Sequence, residues 1–468
     1  MTYNEIYRPI TRTSFSSKMK HAFYASIETM SPQGQVEPNV LRTKYLPDEI
    51  ETFVLNSVVA NEYSEQNMTE KQFTEIMDAI RAFQPPEYYE KQNTDRLKWI
   101  LPTIGAVQFE SQEYLLFKLY RHHFLFSFVD NNANIGEEFT AKFGRSFDDY
   151  AAFIYILHML LAKKEVDVFW RFLSEIHTKN SWFTDNLSLT RKQYIDELSQ
   201  FAKDKNDYRF CLRPSYSYPL IEYKGTLYLP TPHLLVQSIT SAMMNRLTFN
   251  NPMLREKIGK NACERYLYII VNDSGLFDEV IPEFIYGNGQ RTIDIMARKN
   301  DTALLIESKL FSPKTSLRTF NEEDYEKDIE RTVKSIKQAF IHGHNKFRHE
   351  YNPFSSDIND VYVLVVTYQE ALIDLDEIYK ETARALSIDS SSEEFDWLWQ
   401  HVGYTDGANF GRFMLTKTDI FPQLFGRKAI SDRWLTGNNR AELTDELRHY
   451  RDVLINNAQK RIIELQNG

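Results

Sequence analysis

In "TIDIMARKNDTALLIESKL", Thr292 to Leu310, two apolar stretches joined by a polar turn carry Asp294, Glu307 and Lys309, where a purely structural hairpin needs no charge. Side chains alternate along a strand, so Glu307 and Lys309 share a face with Ala303 and Leu305, while Leu304, Ile306 and Leu310 share the other. One face anchors the strand and the charged end of the other is displayed. Glu307 and Lys309 then stand about 6 to 7 Å apart. A turn near Arg298 to Asp301 folds the preceding strand back and, in the right register, lays Asp294 beside the same end as Glu307. Two carboxylates and an ammonium gathered in this way suit phosphodiester hydrolysis. Hard oxygen ligands hold Mg²⁺, with Mn²⁺ as a substitute, while a lysine positions the attacking water or offsets developing charge. The Ser308 main-chain carbonyl, between the two charged side chains, is a further candidate metal ligand.

The segments around this hairpin must position it. From Asn251 to about Glu370 the pattern reads helix ("NPMLREKIGKNACERYLYIIV"), strand ("EVIPEFIYG"), strand ("RTIDIMAR"), strand ("TALLIESKL"), helix ("EEDYEKDIERTVKSIKQAFIHG") and strand ("DVYVLVVTYQ"). That is an α/β module of one domain's size. On the first helix, Glu264 falls at the flank of the stripe formed by Leu254, Ile258, Ala262, Tyr266 and Ile269. The later helix has Ile329, Val333, Ile336 and Phe340 at core spacing, with Arg331, Lys334 and Gln338 on another face, where cations can meet phosphates.

Taken together, these elements resemble the PD-(D/E)XK nuclease superfamily, the restriction-endonuclease-like fold. Its pattern is an acid on one strand and E-x-K on the next, after a helix that often carries a glutamate and before a second helix and strand. Asp294, "ESK" at Glu307 to Lys309, and Glu264 match those positions. The resemblance implies that Asp294 and Glu307 bind the metal, that Lys309 assists the attacking water and that Glu264 orients or completes the metal site. It also makes Gln338 a nucleic-acid-facing candidate beside Lys334, although His342 stands where some relatives carry a tyrosine four residues after the glutamine. Ile293 precedes Asp294 in place of the family's proline.

A second copy of the letters, Asp207 with "EYK" at Glu222 to Lys224, is set aside. Lys224 precedes Gly225 in a probable hairpin turn, and Asp207 lies in polar "KDKNDYRF" with no strand to carry it. "HGHNKFRH", His342 to His349, fits no zinc spacing and reads as an exposed polar loop. "GNGQ", Gly287 to Gln290, reads as a hairpin turn, since no helix follows it as a phosphate-binding loop requires. The chain shows no Walker lysine, G-x-S-x-G elbow or catalytic cysteine pattern, which argues against a self-contained nucleotide motor.

Composition sets the outer limits. The 468 residues carry a formal charge of −10, so contact with nucleic acid requires a local basic patch. Cys211 and Cys263 are the only cysteines, which excludes a disulfide framework and fits a reducing cytoplasm. "MTYNEIYRPITRTSF" has no apolar signal region, and the longest apolar run, "YAAFIYILHMLLA", falls short of the roughly 20 residues of a membrane span and reads as a buried helix.

The predicted organisation is a mainly helical region over residues 1–205, a hairpin and connecting helix over 206–250, the α/β core with a mixed central sheet over 251–370, and a helical C-terminal extension over 371–468. "SPQGQVEPN" and "QPPEYYE" mark loops in the first region. The implied function is a Mg²⁺-dependent nuclease acting on DNA in the cytoplasm, by endo- or exonucleolytic cleavage, in anti-phage defence or restriction, as a homodimer or larger assembly. The helical regions would receive an activating partner or signal. The alternative is a non-catalytic nucleic-acid-binding or scaffold protein that keeps the fold.

Overall fold

The computed structural model describes residues 3–31, 44–60, 65–83, 85, 98–105, 113–369, 373–415 and 443–467. Apart from Ser31 and Pro85, the loops "SPQGQVEPN" and "QPPEYYE" lie outside them. The first region is helical as its periodicity predicts, including Leu115–Phe126 and the apolar helix Phe147–Ala162, whose N-cap Ser146 accepts from the Asp149 N–H at 3.4 Å. Among the described residues no helix is long and apolar enough to cross a membrane. A small sheet joins β1 (Ser188–Thr190), β2 (Leu220–Tyr223) and β3 (Thr226–Tyr228). Lys224 and Gly225 form the two-residue turn between β2 and β3, both left-handed at φ +50° and +74°.

The central sheet is mixed and five-stranded. Its members are β4 (Glu279–Pro282), β7 (Ile295–Lys299), β8 (Thr302–Lys309), β9 (Asp360–Thr367) and β10 (Val402–Asp406), in the order β10-β9-β8-β7-β4. Strands β8, β9 and β10 run parallel, whereas β4, β7 and β8 are antiparallel neighbours. The stretches read as single strands on either side of "GNGQ" are each interrupted. A separate hairpin of β5 (Ile285–Tyr286) and β6 (Gln290–Arg291) projects between β4 and β7. The turn into β8 uses Asn300, left-handed at φ +55°.

Both faces of the sheet are covered. Leu304, Ile306, Ile295 and Leu364 pack with the helices of the first region, while Ala303, Leu305, Met296 and Val363 pack with Tyr325 and Ile336 of the helix Glu322–Phe340. The charged face of β8 is therefore not displayed along its length: Glu307 is only 2 % exposed, because that helix closes over it. The helix itself buries Tyr325, Asp328, Thr332 and Ile336, leaving Ile329 and Val333 half-buried. Ile336 and Phe340 of the predicted stripe lie in the core and Ile329 and Val333 pack against it, while Asp328 on the same helix is buried as well and accepts from the Lys314 N–H at 2.9 Å.

Two further differences concern the predicted organisation. The segment after 370 is not wholly helical, since β10 joins the central sheet beside β9. The cores also cross the predicted boundaries, with Phe153, Ile306 and Leu454 in one continuous apolar cluster. The closing helix Asp445–Asn467 contributes Leu447, Tyr450 and Leu454 to that cluster.

Candidate active site

The β7–β8 ladder pairs Lys299 with Thr302 and ends at Ile295 opposite Ile306. Continued by one step, it sets Asp294 opposite Glu307, and alternation turns both toward the face of Met296 and Leu305. Asp294 takes over where the backbone ladder stops: its Oδ2 accepts from the Ser308 N–H at 2.6 Å. The amide and carbonyl of one strand residue face the same edge, so the Ser308 carbonyl also faces the Asp294 side. The Lys309 carbonyl faces the opposite edge and accepts from the Tyr368 N–H at 3.0 Å.

Lys309 donates to Glu307 Oε1, with the lysine side chain 32 % exposed at the mouth and the glutamate sealed beneath it. Glu264 reaches the same place from the helical run 252–273. That run begins with Pro252–Lys257, passes through a π-helical segment at Ile258–Cys263 and continues as Glu264–Asp273. The wider π turn rotates every later side chain relative to a regular helix, which a helical wheel cannot anticipate. The run docks on the end of β8, where a Cβ on Gly259 would stand 3.1 Å from the Leu310 Cβ. Arg255 Nη2 donates to the Leu310 carbonyl at 3.4 Å. Gly259→Val should therefore push the helix off Leu310, costing about 1–3 kcal/mol in overpacking. Parallel thermal melts of wild type and variant check the effect.

The electrostatics tie these groups together. Burial, then the charges of Glu307 and Glu264, push the Asp294 carboxyl well above its usual range. Burial, with Glu283 and Glu307 nearby, raises Glu264 to about 7. Glu307 is raised by burial and held back by Lys309. Burial disfavours the Lys309 charge, but Glu307, Asp294 and Glu264 outweigh it and raise its pKa.

Glu283 was not a predicted site residue. It follows β4, whose register with β7 ends at Pro282 opposite Ile295, so the next pair is Glu283 and Asp294. The Glu283 N–H donates to the Asp294 carbonyl at 2.7 Å and its carboxylate meets Arg291 Nη1 at 2.6 Å. The available signal was the alternation Glu279, Ile281, Glu283 in "EVIPEF", which names a face without giving the register.

The other predicted residues are placed differently. Lys334 is exposed and Gln338 half-buried, and among the described residues no hydrogen bond or ion pair ties either to the carboxylates. The "HGHNKFRH" segment is not a simple exposed loop, because a π-helical segment at Ile341–Lys346 extends the preceding helix and buries His342. His342 Nδ1 meets the Tyr351 hydroxyl at 2.9 Å. Burial, then the cations Lys346 and Lys309, lower its pKa to about 4, so it is neutral at physiological pH. The second copy of the letters does not converge: Lys224 occupies a turn, and Asp207 Oδ2 is taken by the Lys203 N–H at 2.6 Å.

Among the described residues, no group of three or more His, Cys, Asp and Glu side chains forms a ready-made metal cage. The donor set nevertheless fits a hard divalent cation. Several carboxylates raise one another's pKa, and Lys309, joined by Lys260 at Glu264, counters them.

The chain is thus an α/β protein of mixed sheets flanked by many helices, with a carboxylate and lysine cluster at the end of its central strand. No family model matches its sequence, and no curated protein matches it. Among solved structures, it is similar in part to the small subunit of the heterodimeric restriction endonuclease R.BspD6I. The identity is 14 %, with 44 % of this chain and 88 % of that one covered, at a TM-score of 0.19. At that level of similarity a common fold is not established, and the site's own geometry must carry any functional reading.

Proposed function

We propose that the protein is a metal-dependent nuclease hydrolysing phosphodiester bonds, with DNA as its substrate. The observation that carries this reading is the cross-strand placement of Asp294 and Glu307 on one sheet face, with Lys309 and Glu264 at the same strand end. Asp294, Glu307 and the Ser308 carbonyl would hold Mg²⁺ or Mn²⁺, which when bound polarises a phosphoryl oxygen and lowers the pKa of water. Lys309 keeps its charge at neutral pH and can hold the attacking water or offset charge gathering on the phosphate. Glu264, near pKa 7, can take a proton from water at the pH where it works. Lys334 and Gln338 would contact nucleic acid outside this cluster.

A single site cuts one strand at a time, so duplex cleavage would pair two or more copies. A role inside the cell in anti-phage defence or restriction, switched through the helical regions, completes the proposal. Incubation of the purified protein with plasmid, single-stranded DNA and RNA, in Mg²⁺, Mn²⁺ or EDTA, tests it. Cutting that requires the ion supports the reading. No cutting of any substrate leaves a switched-off enzyme or the second reading, a non-catalytic binding or scaffold protein, for which the Glu307–Lys309 ion pair is the specific support, and Mn²⁺ binding that is lost in Glu307→Ala separates the two.

A further inference from the structure

Where β8, β9 and β10 end side by side, the chain encloses a cavity of about 880 Å³. Its walls include Ser312 to Thr315 after β8, Tyr368 and Gln369 after β9, and Asp406 at the end of β10. The N-terminal helical region adds Lys118 and Arg121 to the lining, and the helix Ser241–Thr248 adds Arg246. The crevice beyond the carboxyl ends of parallel strands is where open α/β sheets take their ligands, and this volume lies in the range of small-molecule sites. It is too small for a duplex.

The lining carries nine Lys and Arg against three Asp and Glu, in a chain whose total charge is −10. All three acids are already engaged, Glu197 by Gln200 Nε2 at 3.0 Å. Glu113 pairs with Arg121 at 2.7 Å, and Asp406 accepts from the Ala408 and Asn409 N–H groups at 2.8 and 2.9 Å. Arg246 and Arg255 donate to main-chain carbonyls, of Asn186 at 2.9 Å and Leu310 at 3.4 Å. Burial, then the neighbouring Arg331, lowers the Arg255 pKa, even though Arg331 is itself paired with Asp328 at 3.0 Å. The buried Nε of Arg121 has no hydrogen-bond partner among the described residues. Guanidiniums also lie over rings, Arg121 at 5.1 Å from Tyr368 and Arg246 at 4.5 Å from Tyr218. Cations interleaved with aromatic faces match a ligand that has both phosphates and a flat base.

We propose that this cavity binds a phosphate-bearing nucleotide, either free or as the end of a single strand. The proposal stands independently of the nuclease reading, because it needs binding and no cleavage. Calorimetry in EDTA with ADP, and with a 5′-phosphorylated twelve-nucleotide single strand, tests it. Wild type should bind ADP, and Arg255→Gln with Arg331→Gln should weaken binding at least tenfold, while Asp294→Ala leaves it unchanged. Arg246→Gln provides an independent reading if the double variant does not fold. Binding of ADP alone identifies a free nucleotide, and displacement of ADP by the strand identifies a strand end. Binding of neither probe, or binding indifferent to the arginine variants, overturns the proposal.

Discussion

On the nuclease reading, Lys309→Ala should lower single-turnover cleavage by about 10²- to 10³-fold, the usual consequence of removing one charged donor from a developing oxyanion. The lysine is the group that can act on both substrate and site. It is 32 % exposed, and its ammonium counters Asp294, Glu307 and, together with Lys260, Glu264. Without it Glu307, buried to 2 %, is an uncompensated charge, and its pKa rises further. The variant's loss should therefore deepen as the pH falls, because Glu307 takes up its proton more readily than in wild type. Lys309→Arg keeps the charge and the thermal stability but cannot reproduce a point ammonium, so it recovers only part of the rate. Rapid-quench rates across pH, with melts alongside, separate loss of chemistry from loss of fold. Equal rates for wild type and Lys309→Ala would remove the lysine from the mechanism.

The second large effect is on stability in metal-free solution. The folded state raises Glu264 from its ordinary value of 4.5 to about 7, so between those values it binds the proton more tightly than the unfolded chain does. The contribution is fully present below about pH 4.5 and is lost as pH rises through 7. Its size is on the order of 2 kcal/mol after allowance for solvent screening. Asp294 and Glu307, also raised, act in the same direction. Asp48 and Glu51 act oppositely: despite burial, their arginine partners hold both carboxyls low, and their contribution is lost in acid. In EDTA the melting temperature should fall between pH 5.5 and 8, and Glu264→Gln should flatten that slope and raise stability at pH 8. A slope unchanged in the glutamine variant would contradict the environment assigned to Glu264.

How much of this could be read from the chain follows from which interactions are local. The β7–β8 turn is short, so alternation alone aligns Asp294 with Glu307 once the two strands pair. Glu283 depends on the register of β4 with β7, across the inserted β5–β6 hairpin, and no local pattern specifies it. The direction of Glu264 cannot be read from a helical wheel, because a π turn resets the helical phase just before it. His342 is buried by the same device at the end of the following helix. Strand β10 was hidden because "VGYTD" has little apolar alternation, and it is buried through its neighbours, β9 and the helices over it. The cation-rich cavity has no single motif, since its walls come from segments far apart in the sequence.

Whether Asp294 and Glu307 together form a divalent-cation site is tested without a substrate by calorimetric titration of Mn²⁺ into the metal-free protein at pH 8. Wild type should show a saturable site that is weakened at least tenfold in both Asp294→Asn and Glu307→Gln, with Lys334→Ala unaffected. No Mn²⁺ binding in wild type, or equal binding in the two carboxylate variants, would contradict it.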